Sequence, residues 1–538
     1  MSKILPLHLV SAFLLGLTMG CQKVAPPQVR PEPLPQDTWI EVYFNQSQSG
    51  EYTEPYREVR RSGDDLEQEI VDTINKAKSS VDVAVQELRL PKIARALVDR
   101  HLAGVQVRVI LENTYSRPLS DMMAAEVPAS DRGDRNQEYW QWLDRDRDGK
   151  LSEREINQGD ALAILRNAKV PTIDDTADGS AGSGLMHHKF VIVDGRTSIV
   201  SSANFTPSGI HGDFAEAKSR GNANHLLKIE SYELAQLFTQ EFNVMWGDGP
   251  GGNPDSRFGL AKTWRPVKQV QLGDSLVSVQ FSPISPTQPW SKSGNGLIAK
   301  TLGTASKSVD LALFVFSEQK LVNVLESNHR QGVEIRALID RGFAWRNYSE
   351  ALDMLGVAIA SNCKYEADNR PWASPIATVG VPIMPPGDKL HHKFAAIDGE
   401  KVITGSHNWS PAANHNNDET ILVIKNPTVA AHFVREFDRL YADAQLGVPA
   451  RLQRQLLAQE QECPQITTPS NYNLTGQKVN LNTATQAELE TLPGIGPTLA
   501  RRIIQARQQK RFTSLEDLDN VSGIGPKMLE RLESRVTW

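Results

Sequence analysis

Two stretches of the chain repeat one hydrophobic rhythm. Ser80-Val81-Asp82-Val83-Ala84-Val85 and Ser308-Val309-Asp310-Leu311-Ala312-Leu313 are nearly continuous apolar runs, and each predicts a buried strand. A segment with helical spacing of apolar positions follows each, Lys92 to Ala103 and Gln319 to Gln331, and then a second apolar run, 104–110 and 332–338. Strands covered on both faces read as continuous apolar runs, and helices of this length make crossovers between them. The pattern therefore predicts α/β architecture: βαβ units in a largely parallel sheet. Corresponding positions lie 228 apart (309 − 81 and 332 − 104), which gives two homologous halves, 39–250 and 276–446, separated at the Gly- and Pro-rich joint Gly247 to Asp255.

A third apolar run in each half has charge at its start. Phe190-Val191-Ile192-Val193 follows His187-His188-Lys189 and precedes Asp194; Phe394-Ala395-Ala396-Ile397 follows His391-His392-Lys393 and precedes Asp398. Ser202 and Asn204 come after the first copy, Ser406 and Asn408 after the second, at one offset (202 − 187 and 406 − 391 are both 15). Residues i and i+2 of a strand share a face, so the His and Lys of each copy point together. Phosphodiester cleavage needs a nucleophile, an acid for the leaving oxygen and cations around the developing phosphorane, which two histidines and two lysines supply.

In these residues the chain resembles the phospholipase D superfamily, whose signature is this HKD motif in duplicate. The resemblance implies two halves packed as one unit around a single active site, with no cofactor for catalysis. One histidine attacks phosphorus to give a phosphohistidine; the other protonates the leaving group and then activates water. Lys189, Lys393, Asn204 and Asn408 hold the non-bridging oxygens, Ser202 and Ser406 support them, and Asp194 and Asp398 support the fold. The resemblance also implies an acid downstream in each copy that orients the histidine. Glu419, 28 residues after His391, fits; the first copy carries Asn224 there, and Ser201 where the second has Gly405. These departures make the copies unequal and leave open which histidine is the nucleophile; if the acid matters most for the attacking residue, His391 is favoured.

The first half is longer than the second before its motif by about 24 residues (187 − 104 is 83; 391 − 332 is 59). The surplus, about 136–168, contains Asp144-Arg145-Asp146-Arg147-Asp148-Gly149-Lys150-Leu151-Ser152-Glu153-Arg154-Glu155, which matches an EF-hand loop. Asp144, Asp146, Asp148, Ser152 and Glu155 are its oxygen ligands, Lys150 offers its carbonyl, and Gly149 permits the bend. Helices Glu138 to Leu143 and Arg154 to Asn167 are expected on either side. The expected ion is a structural Ca2+.

At the N-terminus, Lys3 precedes an apolar run from Ile4 to Met19, the length of a signal-peptide core. Leu17-Thr18-Met19-Gly20-Cys21 resembles a bacterial lipoprotein cleavage box, with Thr18 a departure and Cys21 the lipidated residue; an ordinary secretory signal is the alternative. Residues 1–21 are then a signal peptide and 22–38, with five prolines, a tether. Either address is extracytoplasmic, with the lipid anchor facing the periplasm or cell surface. There Cys363 and Cys463 are free to pair.

After a polar linker, 447–478, two Gly-Ile-Gly turns, Gly494-Ile495-Gly496 and Gly523-Ile524-Gly525, each open a helix, Thr498 to Gln509 and Lys527 to Glu533. Residues 479–538 resemble tandem helix-hairpin-helix units of the bacterial DNA-uptake receptor, a small all-α domain. Close backbone approach and amides at a helix N-terminus suit a phosphate, without reading sequence. Arg501, Arg502, Lys510, Arg511 and Lys527 add cations that Glu516, Asp517 and Asp519 nearly balance. A net charge of −6 argues against a generally basic nucleic-acid-coating protein, so any DNA contact is local. Three functions fit: a non-specific DNA endonuclease held on DNA by the C-terminal domain, a phospholipase D acting on phospholipid head groups at the membrane, or an inactive DNA-binding lipoprotein. Intact His, Lys and Asn in both copies argue against the last.

Overall fold

The computed structural model describes residues 30–122, 131–180, 182–366, 368–463, 479–490, 492, 495–525, 528–529, 532 and 536–538. Cys21 with the predicted signal peptide, residues 22–29, linker residues 464–478, Gly494 and Lys527 lie outside them.

The first half is built on a seven-stranded sheet ordered Ile40–Phe44, His225–Glu230, Thr197–Ser201, Lys189–Val193, Ser80–Val85, Gln106–Leu111, Thr172–Asp174. The second repeats the order from Ser275–Phe281 through Thr420–Lys425, Lys401–Gly405, Lys393–Ile397, Ser308–Leu313 and Glu334–Ile339 to Val379–Val381, with one extra strand at each edge. The predicted crossovers are helices Pro91–Leu102 and Gln319–Arg330. Gly104 and Gly332, at φ +86° and +90°, let the chain turn back from each helix into the next strand. Asp82 pairs with Arg108 across that strand pair at 2.7 Å, and Asp310 with Arg336 at 2.7 Å, so the repeat extends to its ion pairs.

The sheets are mixed, not largely parallel as the apolar runs predict. Parallel pairing is confined to the strands around the crossovers. The strand that carries each motif returns at once through three residues, 194–196 or 398–400, into its neighbour. A connection that short joins only antiparallel strands. Burial on both faces, rather than parallel pairing, made these runs continuous.

One core spans both halves. Helices Tyr232–Trp246 and Pro427–Tyr441 lie between the sheets and bury Phe238, Phe242 and Met245 from one half and Val429, Phe433, Phe437 and Leu440 from the other in a single apolar cluster. Each such side chain contributes roughly 1.5–3 kcal/mol, so separating the halves exposes a large apolar face. The outer faces have cores of their own.

Three boundaries differ from the sequence reading. Strand Lys268–Leu272 pairs with Ser275–Phe281, so the second half begins before 276. Residues 447–463 are not linker: helix Ala450–Glu462 buries Leu452 and Leu456 in the second-half core, and Cys463 is disulfide-bonded to Cys363, Cα to Cα 5.5 Å. Two leucines four apart on an otherwise polar segment are enough to dock one helical face. Residues 30–38 are not a free tether, because Gln36 pairs with the backbone of Val42 and Asp37 accepts from Asn426.

The C-terminal domain has a separate core of Leu481, Leu489, Ile495, Ile503, Leu518, Ile524 and Leu532. Helix Pro497–Gln509 starts with proline at its first position. Val479–Asn480 runs parallel to Val536–Thr537, a two-residue pairing that the all-α expectation lacked.

Candidate active site

The two motifs meet because the halves exchange backbone. Met186 bridges to Asp418 and Ala223 to Leu390; the His187 amide donates to the Asp418 carbonyl at 2.9 Å and the His391 amide to the Ala223 carbonyl at 3.1 Å. Each histidine is thereby threaded against the downstream segment of the other half. His187 Nδ1 donates to Glu419 Oε2 at 2.7 Å, and His391 Nδ1 donates to Asn224 Oδ1 at 3.0 Å. Pairing each histidine with the acid of its own copy is therefore incorrect. Glu419 serves His187 and Asn224 serves His391. The physical reason is the pair of cross-half bridges, which sequence spacing within one copy does not encode.

Ser406 Oγ donates to Glu419 Oε2 at 2.6 Å and Ser202 Oγ donates to Asn224 Oδ1 at 2.8 Å, so both predicted serines hold the groups behind the imidazoles. Lys189 Nζ donates to the His187 carbonyl at 2.8 Å and to Gln86 Oε1 at 3.3 Å; Lys393 Nζ donates to the His391 carbonyl at 2.7 Å. Both lysines are 1% exposed. Burial pushes Lys189 down to about 7, and burial together with the charge of Lys189 holds Lys393 well below the usual ammonium range. Burial, then the neighbouring lysine, also lowers His187 and His391. Glu419, fully buried, is raised by burial. The Oδ1 atoms of Asn204 and Asn408 are buried with no hydrogen-bond partner. Protonated Lys189 and Lys393 and the Nδ2 groups of Asn204 and Asn408 are donors that suit one anionic tetrahedral group, whereas the unsatisfied Oδ1 atoms are acceptors.

The model of the family described as "Cardiolipin synthase, PLD-like domain" matches residues 70–246 and 298–441, more than half of the chain. This chain belongs to that phospholipase D-like family. It is a phosphodiester hydrolase. A helix-hairpin-helix motif matches 475–537. The chain is similar to the mitochondrial cardiolipin hydrolase of Mus musculus, 27% identical over 182 residues that make up 32% of this chain and 72% of that protein. Against the Homo sapiens counterpart it is 28% identical, over 28% of this chain and only 53% of the relative. Its C-terminal part is similar to ComE operon protein 1 of Bacillus subtilis, 46% identical over 63 residues, 12% of this chain and 31% of that protein. Among solved structures, Nuc of Salmonella typhimurium, a phospholipase D family member, aligns with TM-score 0.25 at 22% identity over 32% of this chain and 98% of its own.

In this phospholipase D-like site the motif aspartates stand apart from the chemistry. Asp194 accepts from the amides of Lys78, Ser79 and Ser80, and Asp398 from those of Ser306, Lys307 and Ser308. Each closes the turn after its motif strand onto the loop that enters the neighbouring strand. The second histidine of each His-His-Lys points to the other face: His188 Nε2 to Glu241 Oε1 at 3.3 Å, His392 Nε2 to Glu436 Oε1 at 3.0 Å. His392 Nδ1 also meets His225 Nδ1 at 3.0 Å. These groups were missed from sequence, although a signal was present. Phe238-x-x-Glu241-Phe242 and Phe433-x-x-Glu436-Phe437 repeat a glutamate on an apolar helix face.

The EF-hand-like loop brings carboxylate oxygens of Asp144, Asp146 and Asp148 within 4.8 Å of one another. Gly149 takes φ +80° at the bend. Glu155 is turned onto the loop's own donors, accepting from the Arg145 amide at 2.7 Å and from the Ser152 amide and hydroxyl; the Ser152 bonds lower it to about 2. The single exit helix expected from Arg154 to Asn167 is two, Glu153–Gly159 and Ala161–Asn167, broken where Asp160 caps the second. The latter packs in the first-half core, so it belongs to the half and not to the insert.

In the C-terminal domain the described turn residues Ile495 and Ile524 are buried, while an added Cβ at Gly496 or Gly525 would meet open space. Gly496 caps helix Pro497–Gln509 without a side chain, which leaves that end open to an outside acceptor.

Proposed function

We propose that the chain is a non-specific DNA endonuclease working through a phosphohistidine, with the duplex held by its C-terminal domain. The observation that carries the reading is the joining of one two-half phosphodiesterase site to a helix-hairpin-helix domain in which Gly496 and Gly525 face open space that a phosphate backbone could approach. His187 Nε2 attacks phosphorus: the N–P bond forms, the P–O bond to the leaving nucleotide breaks, and the His391 proton passes to the departing oxygen. His391 then takes a proton from water, whose oxygen attacks phosphorus as the P–N bond breaks. Glu419 stabilises the cation formed on His187. His391, against a neutral amide, gives up its proton more readily. Lys189, Lys393, Asn204 and Asn408 hold the non-bridging oxygens. The nucleophile is accordingly His187, and no longer His391.

The second reading, head-group release from phospholipids, is favoured by the similarity to cardiolipin hydrolases and by the family description. The soluble chain from Gln22, with a His391→Ala control, is offered plasmid DNA and phosphatidylcholine vesicles in EDTA and in calcium. Nicking in EDTA that disappears in the control, and weakens on removal of 479–538, is the expected result. Head-group release with plasmid intact overturns the nuclease reading.

The lipoprotein box at Cys21 supports a lipid-anchored protein facing the periplasm or cell surface. For the Asp144–Glu155 loop, the clustered carboxylates of Asp144, Asp146 and Asp148 support a structural Ca2+, with Ser152, Glu155 and the Lys150 carbonyl completing the set. Calcium should raise the Tm of the wild type and leave Asp144→Ala unmoved; equal shifts in both would refute it.

A further inference from the structure

The two halves supply matched His, Lys, Ser and Asn groups, yet the walls beside them differ. The residue that follows the first βαβ strand is Gln86 in one half and Phe314 in the other. Gln86 accepts a hydrogen bond from Lys189. Phe314 instead places its ring 4.7 Å from the His391 ring and 4.9 Å from Lys393 Nζ. Phe343 meets the Phe314 ring in a T-shaped contact, ring centroids 4.6 Å apart at 68°. Both phenylalanines are half-buried, and the loop that carries Phe343 also holds the exposed Arg341. Gln86 is therefore the polar neighbour of Lys189, and Phe314, with Phe343 against it, is the aromatic neighbour of His391 and Lys393.

We infer that Phe314 and Phe343 form a stacking platform for the base of the nucleotide that departs from the scissile phosphate, which makes unpaired stretches of the bound DNA the preferred cleavage sites. The inference rests on the nuclease reading and on His391 as the group that protonates the leaving oxygen. With that oxygen at His391 Nε2, the nucleoside attached to it lies on the His391 flank of the site, where Phe314 meets the imidazole. An aromatic face accepts any base by its π-surface, so the platform adds affinity without sequence preference. A base paired within a duplex is already stacked on both sides and is not free to lie on a protein ring, whereas an unpaired base is. A ring edge-on to a second ring and under an ammonium is also fixed in orientation, as a platform must be.

The test uses the soluble full chain and a labelled single-stranded oligonucleotide carrying one abasic residue, with cleavage mapped at the two diesters that flank it. Loss of one stacked base weakens binding by roughly tenfold or more. The expected result is a drop of about that size at the diester from which the abasic residue departs, and no drop at the other. In Phe343→Leu, and separately in Phe314→Leu, cleavage of the intact strand falls about as far and the difference between the two flanking diesters vanishes. The ring contact of Phe343 is with Phe314, which in turn meets His391, so that variant tests stacking one step removed from His391. Equal cleavage on both sides of the abasic residue in the wild type overturns the platform while leaving the nuclease reading intact. So does a difference that survives in both variants. Failure to cut any oligonucleotide, with head-group release from vesicles that Phe343→Leu abolishes, overturns the nuclease reading itself and assigns the two rings to an acyl glycerol.

Discussion

Glu419→Gln and Asn224→Ala should differ far more in their consequences than their mirrored positions suggest. Glutamine keeps the shape that accepts from Ser406 and His187, and removes only the charge. When His187 carries phosphorus its imidazole becomes cationic, and the Glu419 oxygen lies 2.7 Å from Nδ1. Unit charges centred about 4 Å apart at an effective dielectric constant near 20 attract by about 4 kcal/mol. At about 1.4 kcal/mol per tenfold, the substitution should slow formation of the phosphoenzyme by 10²–10³-fold. Asn224→Ala removes a neutral hydrogen bond of about 1 kcal/mol, roughly a fivefold effect. Both variants are to be assayed for kcat/KM with bis(p-nitrophenyl) phosphate, whose leaving group asks little of an acid. In His391→Ala the same substrate should leave phosphorus on the peptide containing His187, seen by mass spectrometry after a neutral quench. Comparable losses in the two single variants, or phosphorus on the His391 peptide of a His187→Ala variant and never on His187, would refute the assignment of roles.

The remaining predictions concern charge, a staple and a turn. Burial lowers Lys189 to about 7, so the free enzyme holds its cation below that pH and loses it above. The value of kcat/KM should therefore fall as pH rises through neutrality, with the limb displaced to higher pH in Lys189→Arg, and a limb unmoved by that change would dissociate it from the lysine. The Cys363–Cys463 bond closes a loop with a sequence separation of 100, for which loop entropy gives about 4.7 kcal/mol; Cys363→Ser should lower Tm by many degrees, and an unchanged Tm counts against the pairing. Asp194→Ala should cost about 1–3 kcal/mol of stability through three lost amide partners, with kcat little changed below the new Tm. A large fall in kcat at full stability would return Asp194 to the chemistry.

Much of this was written plainly in the chain. The βαβ repeat and the facing of His with Lys follow from periodicity and spacing, because each is fixed by neighbours within one strand or one turn; the roles of the serines and the motif aspartates came from the family resemblance instead. What sequence reading missed depends on contacts between segments far apart. The Glu419–His187 pair spans 232 residues, and spacing within one copy pointed to the wrong histidine. Helix Ala450–Glu462 was hidden because only Leu452 and Leu456 mark its docked face. The antiparallel strands were hidden because burial on both faces erases the alternation that usually marks them. Phe314 drew no attention, since an aromatic at the end of an apolar strand reads as core until its neighbour is known to be His391.

The exchange of Glu419 and Asn224 between halves bears on how a doubled chain diverges. In such a molecule neither copy owns its histidine's partner, so a substitution in one copy is felt as a change of chemistry in the other. When the first copy carries an amide where the second carries an acid, it is the second copy's histidine that is specialised. On the proposed roles, two like imidazoles become a nucleophile and a proton donor without either motif altering a residue. A half expressed alone would keep its histidine, lysine and asparagine and still lack the group that tells that histidine which task it has.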